Sequence, residues 1–194
     1  MMSLERLYSL VVIKTVSVET QRGSGRGVFS REDAMGVISK VESKYEIGSA
    51  ILSASISGDK AAITWLENVY TEFLKLCEID SDISRALAVA AVTEVCSSPQ
   101  CTRCNGRGET ISKGMITECS KCHGSGAYVP SKRELHRLVI SELPSDKQFS
   151  RDTFTRKWCN LYVNIVDRLH IEAGEAGKYA KKILNSMADE MAQA

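Results

Sequence analysis

The sequence predicts a mainly α protein: a helical body, an inserted ribbon carrying four paired cysteines, and a helix-turn-helix-like pair of helices behind it. Three observations carry this expectation. Apolar residues recur at spacings of three and four through much of residues 30–98 and again after residue 130, which is the period of amphipathic helices. Two runs of the form C-x-x-C-x-G-x-G, Cys101 to Gly108 and Cys119 to Gly126, interrupt that pattern in mid-chain. Only three prolines occur in 194 residues, which leaves little room for long structureless linkers. The expected order is a flexible N-terminal segment (1–29), a helical body (30–98), the paired-cysteine knuckles (99–128), and a helix-turn-helix-like region with a C-terminal helix (129–194).

Each element has a local reason. The stretch from Gln21 to Gly27 is a flexible linker by composition. Its glycines lack the strand–turn–helix setting of a phosphate loop. Ser30 opens a helix with Asp33 as its capping partner, and Ala34, Val37, Ile38, Val41 and Tyr45 mark the apolar face. Asp59 starts the next, through Ile63, Leu66, Val69, Tyr70, Phe73 and Leu74. Ser81 or Asp82 starts a third, through Ile83, Leu87, Ala90, Ala91 and Val95, and Pro99 ends it. Between the cysteine pairs, Glu109 to Glu118 alternates and carries β-branched residues around Lys113-Gly114, the pattern of a short two-stranded ribbon. Ser131 and Glu134 then form a capping box, followed by a stripe of Leu135, Leu138, Val139 and Leu143. The polar run from Pro144 to Ser150 breaks the pattern. A second helix follows through Phe154, Trp158, Leu161, Tyr162, Ile165, Val166 and Leu169, and a separate final one through Tyr179, Ile183, Leu184 and Met187.

The cysteines carry the clearest chemistry. Cys101, Cys104, Cys119 and Cys122 supply four thiolates in two C-x-x-C pairs, enough to close one tetrahedral zinc site. Fourteen residues separate the inner pair, one below the usual range. The following glycines permit positive-φ turns that aim backbone N–H groups at the sulfurs. Four cysteines leave no open coordination position, so the zinc is expected to be structural rather than catalytic. A thioredoxin-type dithiol would sit beside a βαβ pattern, which is not visible. His123 follows Cys122 and is displaced as a ligand by the neighbouring sulfur. The other three cysteines, Cys77, Cys96 and Cys159, fall in helical patterns and read as small core residues; Cys96 is the one spare ligand candidate.

Charge points to where a polyanion would lie. The net charge of the chain is +1, yet residues 99–158 carry eleven basic and six acidic groups. Four thiolates with one zinc add −2, leaving a positive surface on the knuckles and the segment after them. In a helix-turn-helix the second helix enters the major groove and reads bases near its N-terminus. Arg151, Thr153, Arg156, Lys157 and Asn160 cluster at that end of the second helix, with Thr155 beside them. Arginine suits guanine and asparagine adenine. Arg133 and Arg137, one turn apart on the first helix, suit phosphate. Surface charge on a solvated helix pair is the plainer alternative, and the Pro144–Ser150 connection is longer than the tightest turn of this motif.

Taken together, the pattern resembles the Q antitermination proteins of lambdoid bacteriophages, in particular the lambda type, over about residues 30–188. The resemblance rests on Cys101, Cys104, Gly106, Gly108, Cys119, Cys122, Gly124 and Gly126. It extends to Tyr128, the helix linked by Pro130, the Thr153-Phe154-Thr155-Arg156 stretch and the Leu161-Tyr162 pair. The N-terminal helices match in pattern alone, and the knuckle separation is shorter here. The resemblance implies a non-enzymatic transcription factor of the bacterial host cytoplasm. Such a protein binds double-stranded DNA within a phage late promoter and engages host RNA polymerase with its sigma factor. It then makes the polymerase read through pauses and terminators.

Two rivals use the same cysteines. The J-protein chaperone cysteine-rich domain also repeats C-x-x-C-x-G-x-G, but in four copies behind a domain with a His-Pro-Asp turn; this chain has two copies and no His-Pro-Asp. A zinc-stabilised protein-interaction module without DNA binding is the other. An enzyme is the weakest reading, since His123, His136 and His170 have no evident nucleophile or metal partner, and no small-molecule substrate is expected. No apolar run is long enough to span a bilayer, and the first residues lack the basic start and cleavage site of a signal peptide.

Overall fold

A computed structural model describes residues 3–12, 29–97, 101, 103–105, 107–112, 115–124, 126 and 130–193. The linker at 21–27, Pro99, Gly106, the Lys113-Gly114 turn and Tyr128 lie outside the described residues. The fold is mainly α. Its elements are α1 (Leu4–Val12), α2 (Arg31–Lys44), α3 (Glu46–Ser57), α4 (Lys60–Leu76), α5 (Ser81–Ser97), β1 (Glu109–Ser112), β2 (Met115–Glu118), α6 (Lys132–Ser141), a 3-10 turn (Ser145–Lys147), α7 (Arg151–Thr153), a π-helical stretch (Phe154–Trp158) and α8 (Cys159–Gln193). The chain divides into two compact units, Met1–Leu66 with Asp167–Ala194, and Glu67–Val166. Four successive segments were expected; instead the first unit is built from both ends of the chain.

In the first unit, α1, α2 and the C-terminal part of α8 share a core of Leu7, Tyr8, Ala34, Val37, Val41, Ala176, Ala180 and Leu184, against which Leu52 and Ile56 of α3 pack. α2 starts as the sequence suggests: the Asp33 N–H donates to Ser30 Oγ and the Ser30 N–H to Asp33 Oδ2, a complete capping box. The expected flexible segment 1–29 is corrected over residues 4–12, because Leu4–Val12 forms α1 with Leu7 and Tyr8 buried; residues 13–28 lie outside the described residues. Leu4, Leu7, Tyr8 and Val11 keep the i, i+3, i+4, i+7 period of an amphipathic helix, but a run of nine residues is short for a helix signal. α3 has no counterpart in the sequence reading either. Its serines, alanines and Gly48 dilute the apolar period, and a single residue, Tyr45, separates it from α2. Close approach replaces apolar bulk: a Cβ on Gly48 would overlap the Glu172 carbonyl and lie 2.7 Å from Ala176 Cβ.

In the second unit α5 is buried almost all round, including Ser84, Leu87, Ala88, Ala91, Val92 and Val95. Its N-cap is Asp80, one residue before the expected start, whose Oδ1 accepts the Asp82 and Ile83 N–H groups. Asp59 caps α4 in the same way, through Ala61 and Ala62. α6 packs against α5, and its Ser131/Glu134 capping box is present. Tyr162 is buried and donates its hydroxyl to the Ala90 carbonyl and Glu94 Oε2, at 3.2 and 2.7 Å. Burial, then the Glu94 carboxylate, raises the Tyr162 phenol far above its ordinary value.

Several expected core positions are exposed. Phe73 is 54% and Leu138 38% exposed; Cys77, expected in the core, is also exposed, in the turn after α4. The expected final helix is not separate. α8 runs unbroken for 35 residues, and Gly174 and Gly177 sit within it without ending it. A buried seam through Leu169, Ala176, Ala180 and Leu184 carries the helix across the glycines, so packing overrides their propensity.

Gly48→Val should lower stability by about 1–3 kcal/mol, the cost of overpacking a close helix contact. Gly36→Ala, on the exposed side of α2 with nothing within 4 Å of the new Cβ, should raise it by up to about 1 kcal/mol. Chemical denaturation of the two variants checks both signs.

Candidate metal centre and adjoining basic surface

Two knuckles of identical design face each other. In each, the first cysteine opens a turn, the second follows three residues later, and the next residue is left-handed: Asn105 at φ 49° and His123 at φ 47°. The run closes on a positive-φ glycine, Gly108 at 76° and Gly126 at 72°. The two halves then exchange backbone bonds. The Cys101 N–H donates to the Gly126 carbonyl and the Cys119 N–H to the Gly108 carbonyl, both at 2.8 Å. Only glycine fits at 108, since a Cβ there would overlap the Gly124 carbonyl. β1 and β2 continue from this base as an antiparallel pair with Glu109 opposite Glu118 and Ile111 opposite Ile116.

The sulfurs meet at the centre. All four Sγ atoms lie within 4.8 Å of one another and every cysteine is buried. Cys101 and Cys119 Sγ are 3.9 Å apart, Cys104 and Cys122 Sγ 3.7 Å. A tetrahedral site with metal–sulfur bonds of about 2.3 Å has edges of about 3.8 Å, so the donor set and spacing fit one metal ion. Backbone donors tune the thiols. The Gly108 N–H reaches Cys104 Sγ at 3.3 Å. Lys121 N–H foremost, with Cys122 N–H, lowers Cys119 to about 6 against the opposing effect of burial. Burial raises Cys101, but the N–H groups of Cys104 and Arg103 outweigh it and leave that thiol below its usual range. Burial dominates at Cys122 and pushes it up to about 11, opposed by the Gly126 N–H. Such donors stabilise thiolate, the ligand form.

His123 and Cys96 stay outside the cluster. His123 is exposed, and its N–H donates to the Cys119 carbonyl at 2.8 Å. Cys96 lies buried on α5, its thiol raised to about 11 by burial and then by Glu67.

Beyond the knuckles, α6 and the helix beginning at Arg151 present a basic surface. Arg133, Arg137 and Arg151 line one depression together with His136, Ser150 and Asp152. Arg156, Lys157 and Asn160 are exposed in the following turns. Among the described residues, none of these five cations has a carboxylate within salt-bridge distance. Thr153 is half-buried and engaged in capping: its N–H donates to Ser150 Oγ at 3.2 Å, and its hydroxyl lies 3.1 Å from the same oxygen.

The model of the family described as conserved hypothetical protein CHP02642 matches residues 1–100 and 85–189. The chain belongs to this family. No curated protein matches it. The CHP02642 match takes in both knuckles and the whole basic helix pair. Among the described residues of this CHP02642 chain, no helix is long and apolar enough to cross a membrane.

Three parts of the surface escaped the sequence reading. His136, which lines the depression, donates from Nε2 to the Phe149 carbonyl at 2.9 Å and packs beside the stacked rings of Phe149 and Phe154. Lys147, in the 3-10 turn, bridges Asp80 and Asp82 at 2.9 and 2.6 Å and so ties the inter-helix connection to the start of α5. Bonding to Asp82 and then Asp80 raises its pKa. The π-helical stretch Phe154–Trp158 carries Arg156 and Lys157, with the Cys159 N–H reaching back to the Phe154 carbonyl. A π-bulge re-aims the side chains it holds and leaves no mark in the apolar period. The Ser150-x-x-Thr153 spacing was the one visible signal, as a helix cap.

Metal affinity should fall as pH falls, because protons compete for the four thiolates. Cys119, held at about 6 by backbone N–H groups, should keep its thiolate form to slightly acid pH. Titrating metal-loaded protein with acid while following released metal should show retention above neutral pH and loss by about pH 5. A strong chelator at neutral pH should abolish the ribbon's amide dispersion while the helical circular dichroism persists.

Proposed function

We propose that the chain is a zinc-stabilised, DNA-binding transcription antitermination factor of phage or prophage origin. In this reading one structural zinc is held by Cys101, Cys104, Cys119 and Cys122. The donor set of four sulfurs with no open position favours zinc over metals that prefer oxygen or nitrogen. The observation that carries the DNA reading is the gathering of Arg133, Arg137 and Arg151 around one depression, with Arg156, Lys157 and Asn160 exposed beyond it and, among the described residues, no carboxylate paired to the cations. Unpaired arginines at the joint of two helices suit adjacent phosphates. Arg156, Lys157 and Asn160 then take base edges.

The resemblance to lambdoid Q proteins supplies the rest. The factor binds a late-promoter element in the bacterial cytoplasm and joins host RNA polymerase with its sigma factor. Polymerase then passes pauses and terminators. It performs no catalysis, takes no small-molecule substrate and has no membrane role. A second reading, a protein-interaction module without DNA binding, is favoured by Ile111, Met115 and Ile116, which stand 64–73% exposed on the ribbon.

Gel shifts on phage late-promoter DNA separate the two. Arg133→Ala and Arg137→Ala should each reduce the salt slope of binding by about 0.9 while weakening all sequences alike. Arg156→Ala should cost about 1–3 kcal/mol on the preferred site and relax its sequence preference. Read-through of a terminator template should appear with the intact protein and vanish on chelation. Binding unchanged in all three variants at every salt concentration would favour the interaction module.

A further inference from the structure

The first unit holds a groove that has no part in the cysteine centre or the basic surface. It lies among α1, α2, α3 and α4 and encloses about 750 Å³, within the range of ligand sites. Its floor is smooth. Ser49, Ala50, Ser53 and Ser57 on α3 present a strip of small side chains about 12 Å long by helical rise, continued by Ala61 and Ala62 on α4. Small residues let another backbone come close. Ile38 and Trp65 supply apolar walls.

The polar lining is one-sided. Glu42 and Glu46 flank the α2–α3 junction, both exposed, and neither has a cation within salt-bridge distance among the described residues. Lys44, between them in sequence, places its ammonium 4.5 Å over the Tyr179 ring. Burial raises the Tyr8 phenol, the Ser49 bond opposes that, and the Glu42 charge adds to the rise, so it is felt inside the groove. Asp59 is committed, capping α4 and accepting from Ser53. Ser57, also in the lining, has its Oγ buried with no hydrogen-bond partner among the described residues.

From these features we infer that the groove binds a basic amphipathic peptide segment of a partner protein. Its apolar side chains lie between Ile38 and Trp65, and its lysines or arginines meet Glu42 and Glu46. An elongated floor suits a peptide better than a compact molecule, and the two unpaired carboxylates set the sign of its charge. The inference is independent of the DNA reading and survives its failure.

The test is calorimetric titration of the full, metal-loaded chain with a synthetic leucine–lysine amphipathic helix, and with its leucine–glutamate counterpart. The lysine peptide should bind and the glutamate peptide should not. Glu42→Lys with Glu46→Lys, both at exposed positions, should weaken binding at least about tenfold. Glu32→Lys, at an exposed site away from the groove, should leave it unchanged. Ala50→Trp, which fills the floor, should block binding with helical circular dichroism retained. Absence of binding by the lysine peptide, equal affinity in the double reversal, or equal weakening by Glu32→Lys would overturn the inference.

Discussion

The mutual contact of four sulfurs is the constraint on which the middle of the molecule depends. Among the described residues from 101 to 126, the cluster of buried side chains consists of Cys101, Cys104, Cys119 and Cys122 alone. The ribbon's apolar residues, Ile111, Met115 and Ile116, face solvent. A two-stranded ribbon is marginal in water by itself, and a segment with no apolar core needs a staple. The Thr110–Thr117 contact and the paired glutamates at 109 and 118 do not supply one; like charges directly opposite oppose pairing. What holds the segment is the sulfur cluster and the two reciprocal bonds through Gly108 and Gly126. The pseudo-symmetry of the two knuckles follows, because each half completes the other's backbone.

A different device holds the basic surface. Tyr162, anchored on Ala90 and Glu94, fixes the second helix against α5. Lys147 ties the connection to Asp80, the residue that caps α5, so one aspartate serves two elements. His136, which lines the depression with the arginines, packs on the rings of Phe149 and Phe154. Among the described residues these cations have no carboxylate within salt-bridge distance, the arrangement in which their attraction for an anion is least offset by internal pairing.

How far the sequence foretold this depends on where each signal resides. The cysteines were legible because metal ligation demands fixed spacing, and the capping boxes at Ser30 and Ser131 because caps are local chemistry. Elements defined by distant partners were not. α1 buries Leu7 and Tyr8 against α2 and α8, and α3 depends on Gly48 meeting Ala176, far along the chain. α1 does keep the helical period at Leu4, Leu7, Tyr8 and Val11, but over only nine residues, whereas the serines and alanines of α3 blur its period. The unbroken α8 and the π-helical stretch were not legible either. Of the basic residues, the arginines were visible by charge, whereas their convergence at one depression needed the fold. Thr153 shows the converse: its position suggested a contact, and its capping role emerged only from the Ser150 geometry.

The central claim is that four thiolates hold one metal ion and that this site organises the knuckles. X-ray absorption at the zinc edge of the purified chain tests it most directly. The account predicts one zinc per chain surrounded by four sulfurs at about 2.3 Å with no lighter atom in the first shell. A nitrogen or oxygen ligand in that shell, or a folded ribbon in protein that contains no metal, would contradict it.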